Sequence, residues 1–280
     1  MPVLEAADPM RKLAHISDLH FGRIDEEVVE ALLVDLRSLG PDLIVVSGDL
    51  TQRGHRHQFR EARAFLDRLS APYLVVPGNH DIPGVNMLAR FAAPFARYQR
   101  YIERDMRPLH LDAEIAVLGL NTARPAGPHW NWSHGRINSG QIDHVRSVFE
   151  PLGTDVFKVV VTHHPFLPPP DAPETKLVGR ASLALRTFEN CGVDLLLAGH
   201  LHRGYHGDIR AHHAAVKRSI LVAQASTATS TRLRNEPNAY NVIEVDGDRV
   251  GFGVRVWDGK LFRYRASGRF IRREGHWVAD

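Results

Sequence analysis

Five short clusters in this 280-residue chain carry side chains suited to metal ions, and each directly follows an apolar run. Asp18-Leu19-His20 ends the run KLAHIS, Gly48-Asp49 ends DLIVVS, and Gly78-Asn79-His80-Asp81 ends YLVVP. Thr162-His163-His164-Pro165 closes VFKVVV, and Gly199-His200-Leu201-His202 closes VDLLLA. Histidine is the commonest metal ligand among side chains. In α/β sheets, ligands bind beyond the carboxyl ends of strands, where loops distant in sequence converge. In an extended segment residues i and i+2 point the same way, so Asp18 and His20 are expected to reach one ion; His200 and His202 have the same spacing. Gly48, Gly78 and Gly199 are expected to let the backbone turn tightly or take positive φ beside the ligands. A lone Asp-x-His is ordinarily a surface loop and a lone histidine a satisfied core residue. The five clusters together, in this order, are specific.

Positioning them requires strands that end where the clusters begin. Apolar runs predict strands over 12–17, 42–47, 73–77, 114–120, 156–162 and 193–198. Helical spacing predicts helices over 25–39, 55–69, 86–102, 141–149 and 181–191. Pro94 is expected to kink or interrupt the third of these, and Asn138 with Gln141 three residues on is a capping pair for the fourth. After residue 203 the pattern turns to strands separated by Asp-Gly turns. The chain is therefore expected to be a layered α/β domain with helices outside the sheets. The motif-bearing core spans about 12–203 and strands about 204–270 extend it, within a single domain over 1–280. The loop 123–140, rich in Gly and Pro and aromatic, reads as a lid, a pocket wall or a plain surface loop.

Composition excludes several classes. The chain is 44% hydrophobic and 24% charged, ordinary for a globular protein. The formal net charge of +3 is mild, and no strong nucleic-acid signature accompanies it. The run KLFRYRASGRFIRREG (260–275) interleaves basic and aromatic residues, but reads first as an alternating edge strand with a solvated face. No apolar stretch reaches the length of a membrane span, and no secretory leader is evident at the N-terminus. The single cysteine, Cys191, precludes an internal disulfide framework and fits a reducing, cytoplasmic setting.

The cluster order resembles the calcineurin-like metallophosphoesterase superfamily, whose motifs read Asp-x-His, Gly-Asp, Gly-Asn-His-Asp, His-x-Pro and Gly-His-x-His. The resemblance spans residues 14–203 and looks closest to bacterial members similar to class III cyclic-nucleotide phosphodiesterases. It implies a central β-sandwich flanked by helices and a centre of two divalent or mixed-valence metal ions. It implies Asp18, His20, Asp49 and His202 on one ion, and Asp49, Asn79, His163 and His200 on the other, with Asp49 bridging. His80 is expected near the leaving group, with Asp81 as the residue that orients it. Adjacent strand-end residues project in opposite directions, so only one of His163 and His164 is expected to bind, and the His-x-Pro pattern selects His163.

Two such ions activate a water for in-line attack on phosphorus and hold the attacking and leaving oxygens. The mixed nitrogen and oxygen donors suit Mn, Fe or Zn better than Ca or Mg. The expected partner is a small anionic phosphate ester, a diester before a monoester, with a cyclic nucleotide as one candidate. Arg23, Arg53 and Arg203 flank the motifs and bear on that preference. Gln52 stands where protein phosphatases of the superfamily have an acidic partner for the catalytic histidine, which argues against that branch. Nucleases and lipid-precursor pyrophosphatases share the motif set and are the alternatives within enzymes. A scaffolding role, the alternative outside them, predicts missing ligands, and none is missing.

Overall fold

The computed structural model describes residues 10–84, 86–126, 133–234 and 236–280. The middle of the predicted loop, residues 127–132, lies outside the described residues. Two sheets stack face to face. The first orders its seven strands β13-β12-β11-β10-β1-β2-β3 and the second its six strands β4-β5-β6-β7-β9-β8. The strands of the first are β1 (Arg11–Ile16), β2 (Leu43–Val46), β3 (Tyr73–Val75), β10 (Ala239–Asp246), β11 (Arg249–Trp257), β12 (Phe262–Arg273) and β13 (His276–Ala279). Those of the second are β4 (Leu109–Leu111), β5 (Ile115–Gly119), β6 (Phe157–Val161), β7 (Leu195–Ala198), β8 (Tyr205–Asp208) and β9 (Leu221–Gln224).

Strand alternation explains the layering. In β2, Leu43 and Val45 face the inter-sheet core while Ile44 and Val46 face helices α1 (Glu26–Leu39) and α2 (Arg56–Leu66). In β6, Val159 and Val161 face inward and Val160 faces α5 (Ser139–Phe149) and α6 (Ala181–Asn190). Both faces of these strands are thus covered, which is why they read as unbroken apolar runs. Each fully buried aliphatic side chain stabilises such layers by roughly 1.5–3 kcal/mol.

The local signals hold. Asp25 caps α1 through the N–H groups of Glu27 and Val28, and Gly40 ends it at φ 57°. Asn138 and Gln141 form a reciprocal capping pair on α5. The predicted helix over 86–102 is broken at Pro94 into α3 (Met87–Ala92) and α4 (Ala96–Tyr101). Strands β4, β8 and β13 had no counterpart in the sequence reading, because LHL, YHGD and HWVA are short and interrupted by polar residues, with no apolar run to mark them. The run 260–275 forms β12, which pairs with β11 along its length and with β13 over Phe270–Arg273, so only its first part is an edge. Among the described residues no helix is long and apolar enough to cross a membrane.

The topology positions the chemistry. β1, β2 and β3 run parallel in the first sheet, and β5, β6, β7 and β9 run parallel in the second. The clusters after β1, β2, β3, β6 and β7 therefore emerge at the same edge of the sandwich.

Candidate active site

Residues from the first and last clusters meet there. His202 Nε2 lies 3.2 Å from Asp18 Oδ1 and 3.1 Å from His20 Nε2. Asp18, His20 and His202 form one group whose donor atoms lie within 4.8 Å of one another; Asp18, Asp49 and His163 form a second, and His163, His164 and His200 a third. Asn79 joins through its Oδ1, 3.2 Å from His163 Nε2. Asp18, His20, Asp49 and His163 are fully or almost fully buried.

The two aspartates are built alike. Asp18 Oδ2 accepts from Ser17 Oγ at 2.7 Å and from the His200 N–H at 2.8 Å, leaving Oδ1 toward His20 and His202. Asp49 Oδ1 accepts from the His80 N–H at 2.8 Å, leaving Oδ2 3.3 Å from His163 Nε2 and 3.8 Å from His20 Nε2. One oxygen is anchored and the other offered, the arrangement by which outer hydrogen bonds orient metal ligands. The histidines follow the same logic. His163 Nδ1 donates to the Ser47 carbonyl at 2.8 Å and His202 Nδ1 to the Arg232 carbonyl at 3.0 Å, so each presents Nε2.

The donor set fits a cation. Asp18 Oδ1 is buried without a hydrogen bond among the described residues, and the Nε2 atoms of His20 and His202 face each other. Buried polar atoms without partners carry a desolvation penalty, which a bound ion relieves where lone pairs converge. Burial pushes the Asp18 carboxyl up, but His202, His20 and His163 outweigh it and hold it well below the usual carboxylate range. Asp49 is likewise lowered, against its burial, by His163 and His80. Both are held as anions.

Several expectations take a different form. Asp18 and His20 reach one point, yet not as an extended pair. Asp18, His20, Asp49, His200 and His202 have φ between 52° and 76°, and they are five of the seven non-glycine residues with positive φ among the described residues. Such conformations are costly for residues with a Cβ and cluster at functional sites. The left-handed geometry thus falls on the ligands themselves; of the three glycines only Gly48 has positive φ, at 98°. Gly78 and Gly199 serve close approach instead. A Cβ on Gly78 would lie 2.1 Å from Asp49 Oδ1, and one on Gly199 1.8 Å from Ser17 Oγ. His200 and His202 do not share an ion-sized group despite their spacing: His202 groups with Asp18, and His200 with His163.

Asp81 does not orient His80. Its Oδ1 accepts from the N–H and Oγ1 of Thr51, both at 2.9 Å, and its Oδ2 from the N–H groups of Leu50 and Gly78. It ties the loop after β3 to the loop after β2. Burial and the adjacent Asp49 carboxylate push its pKa up to about 6. His80 Nδ1 donates instead to the Gln52 carbonyl at 2.7 Å.

His164 turns away from the aspartates. Its Nε2 donates to the Ser133 carbonyl at 2.9 Å and its Nδ1 lies 2.7 Å from Thr122 Oγ1. Arg203 leaves the site to pair with Asp171 and Glu236. Residues that the sequence reading missed come from the segment after β9. Thr227 Oγ1 donates to the Asp18 carbonyl at 2.7 Å and Thr229 Oγ1 to the Leu19 carbonyl at 2.9 Å. Arg232 Nη1 lies 3.4 Å from His80 Nε2. The polar run Ser226-Thr227-Ala228-Thr229-Ser230, set directly after an apolar strand, was the available signal.

Comparison with known proteins agrees with this geometry. The profile of the family described as calcineurin-like phosphoesterase matches residues 11–204. A cAMP/cGMP dual specificity phosphodiesterase of Mycobacterium tuberculosis is 28% identical over 264 residues, covering 86% of this chain and 78% of that protein. A glycerophosphodiester phosphodiesterase of Enterobacter lignolyticus is 42% identical over 80 residues, covering 25% of this chain and 29% of its own length. Among solved structures, a dimetal phosphatase from Danio rerio superposes with a TM-score of 0.64 at 14% identity, over 92% of this chain and 99% of that one. The profile match takes in the ends of β1, β2, β3, β6 and β7, the strands that carry all five clusters, and so this chain is a hydrolytic enzyme belonging to the calcineurin-like phosphoesterase family.

Proposed function

We propose that the enzyme hydrolyses phosphodiesters at a pair of divalent metal ions. Asp18, His20, Asp49 and His202 hold one ion, and Asp49, Asn79, His163 and His200 hold the other. The observation that carries this reading is Asp49 Oδ2, which faces His20 on one side and His163 on the other. When bound, the ions supply Lewis acidity that ionises a water near neutral pH and offsets charge at phosphorus. The nitrogen and oxygen donors favour Mn, Fe or Zn over Ca or Mg.

The protein's own groups do the rest. Asp49, tethered by the His80 N–H, fixes the spacing of the two ion sites. His80, with its Nδ1–H held by Gln52, presents Nε2 to the cavity beside the ions and, as an imidazolium, gives its Nε2 proton to the leaving oxygen. Two divalent ions bring four positive charges and the two aspartates two negative ones, a balance that an ionised water and a singly charged diester complete. The names of the M. tuberculosis and E. lignolyticus relatives support diesters as a class and make cyclic nucleotides the first compounds to try.

The test is a panel of cyclic nucleotides, linear diesters, monoesters and a phosphoserine protein, assayed with Mn. Diesters should be turned over and the phosphoprotein left intact. Rapid dephosphorylation of the phosphoprotein, with every diester inert, would reverse the assignment.

A further inference from the structure

A cavity of about 470 Å³ opens beside the candidate metal site, lined by Asn79, His80 and Gln52 and by four arginines, Arg23, Arg53, Arg90 and Arg232. A volume of this order holds a drug-sized ligand, far more than one phosphate. Among the described residues, no acidic one lines it.

The arginines divide by what they touch. Arg90 is buried and holds the wall together, donating from Nε to the Pro125 carbonyl at 2.7 Å and from Nη1 to the Pro83 carbonyl at 3.0 Å. For Arg23, Arg53 and Arg232, no carboxylate among the described residues lies within ion-pair distance. Arg203, Arg210, Arg218, Arg255 and Arg272, by contrast, are all paired with acids.

The three are also held in place. The segment carrying Arg232 is bound to the one carrying Arg23 through the Thr231 N–H, which donates to the Arg23 carbonyl at 3.1 Å, and through the bridge between Ile24 and Ser230. Arg232 accepts from His202 at its carbonyl and reaches His80 with its guanidinium. The Arg53 backbone is fixed by its N–H to Gln58 Oε1 at 3.0 Å. In the same wall, Gln52 Oε1 is shielded from solvent and has no hydrogen-bond partner among the described residues, an acceptor suited to a hydroxyl or N–H group of the substrate rather than to its phosphates. An acidic residue at position 52 would partly cancel the arginine field; the neutral amide leaves it whole.

Three like charges around one cavity repel one another. A simple diester bears one charge, which the metal site already balances. Guanidinium forks match phosphate oxygens in pairs. We infer that Arg23, Arg53 and Arg232 form an anion subsite for a second phosphate of the substrate, so that the preferred substrate is a phosphodiester bearing a further phosphomonoester, as in a 5′-phosphorylated dinucleotide. This inference rests on the phosphodiesterase reading and adds the charge and extent of the substrate to it.

The test uses a matched pair, thymidylyl-(3′→5′)-thymidine with and without a 5′-phosphate, assayed on the full-length metal-loaded enzyme. The phosphorylated member should have the higher kcat/KM by about tenfold or more, the size expected of charge-assisted contacts. That preference should shrink as ionic strength rises and fall to within about twofold in the Arg23→Gln/Arg53→Gln double variant. Calorimetric binding of the same pair, with a methylene in place of the scissile ester oxygen, should show the same selectivity without turnover. If the analogues bind selectively but neither dinucleotide is cleaved, the subsite stands and the diesterase reading falls. If both dinucleotides are cleaved and bound equally well, the subsite falls and the diesterase reading stands. A preference that survives intact in the double variant, or thymidine monophosphate turned over faster than an indiscriminate pair, would also overturn the subsite.

Discussion

The Nδ1–H of His80 donates to the Gln52 main-chain carbonyl at 2.7 Å, which sets the tautomer and leaves Nε2 as the nitrogen that meets substrate. A main-chain carbonyl accepts from Nδ1–H in both the neutral ring and the imidazolium, so no side chain at position 52 is needed to orient His80. His80→Asn should therefore keep both metals and lose turnover by about 10²-fold or more on diesters with alkoxide leaving groups. The loss should be much smaller with 4-nitrophenolate, which departs without a proton. Equal losses on both leaving groups would remove the proton-donor role.

Asp49 offers one oxygen to both ion groups. Asp49→Ala is expected to abolish activity and weaken both metal sites, read together as metal content and turnover. Full metal occupancy with near-normal turnover would exclude the bridging role.

His163 and His164 have rings 5.0 Å apart at 82°, yet only His163 presents a nitrogen to Asp49. His163→Ala should deplete one metal and cut turnover by orders of magnitude. His164→Ala should keep both metals and instead lower stability by roughly 1–3 kcal/mol, since it removes the buried ring and its hydrogen bonds to the Ser133 carbonyl and Thr122 Oγ1. Metal counts on the two variants, with thermal melts, separate the cases; the reverse pattern would shift the ligand by one residue.

Gly199 sits against Ser17 and Asp18 with no space for a methyl group. Gly199→Ala should displace the Asp18 carboxylate and cost metal affinity although position 199 supplies no ligand. Titrating metal into the purified variant checks this, and unchanged affinity would show that the loop absorbs the added methyl.

His15 is fully buried. It lies 2.9 Å from Ser47 Oγ, to which Nε2 donates, and its Nδ1 accepts from Asn241 Nδ2 at 3.3 Å. Burial, partly opposed by Asp18, lowers its pKa from 6.5 to about 3. The unfolded chain then binds the proton first as pH falls. The stability contributed by the neutral ring is complete above about pH 6.5 and is lost toward pH 3, by at most ~1.4 kcal/mol per pH unit. Between pH 7.5 and 5, the melting temperature of the wild type should fall more steeply than that of His15→Gln. Parallel profiles would contradict this.

Much of the molecule was legible without coordinates, for local reasons. Apolar runs such as DLIVVS marked buried strands, Asn138 with Gln141 announced a helix start, and Pro94 announced a break. Acids and histidines at the ends of those runs marked the edge where chemistry would gather, since parallel strands deliver their carboxyl ends together. What the order of residues does not encode is how each loop bends and which distant segment it meets. The positive φ of Asp18, His20, Asp49, His200 and His202 is imposed by contacts between loops, such as the His200 N–H on Asp18 and the His80 N–H on Asp49. Those contacts part His200 from His202 despite their spacing and turn Asp81 from a partner of His80 into a tie between loops. They also bring Arg232 to the cavity while Arg203, beside a ligand in sequence, pairs elsewhere. Long-range hydrogen bonds and ion pairs decide such choices, and only the folded chain brings their partners together.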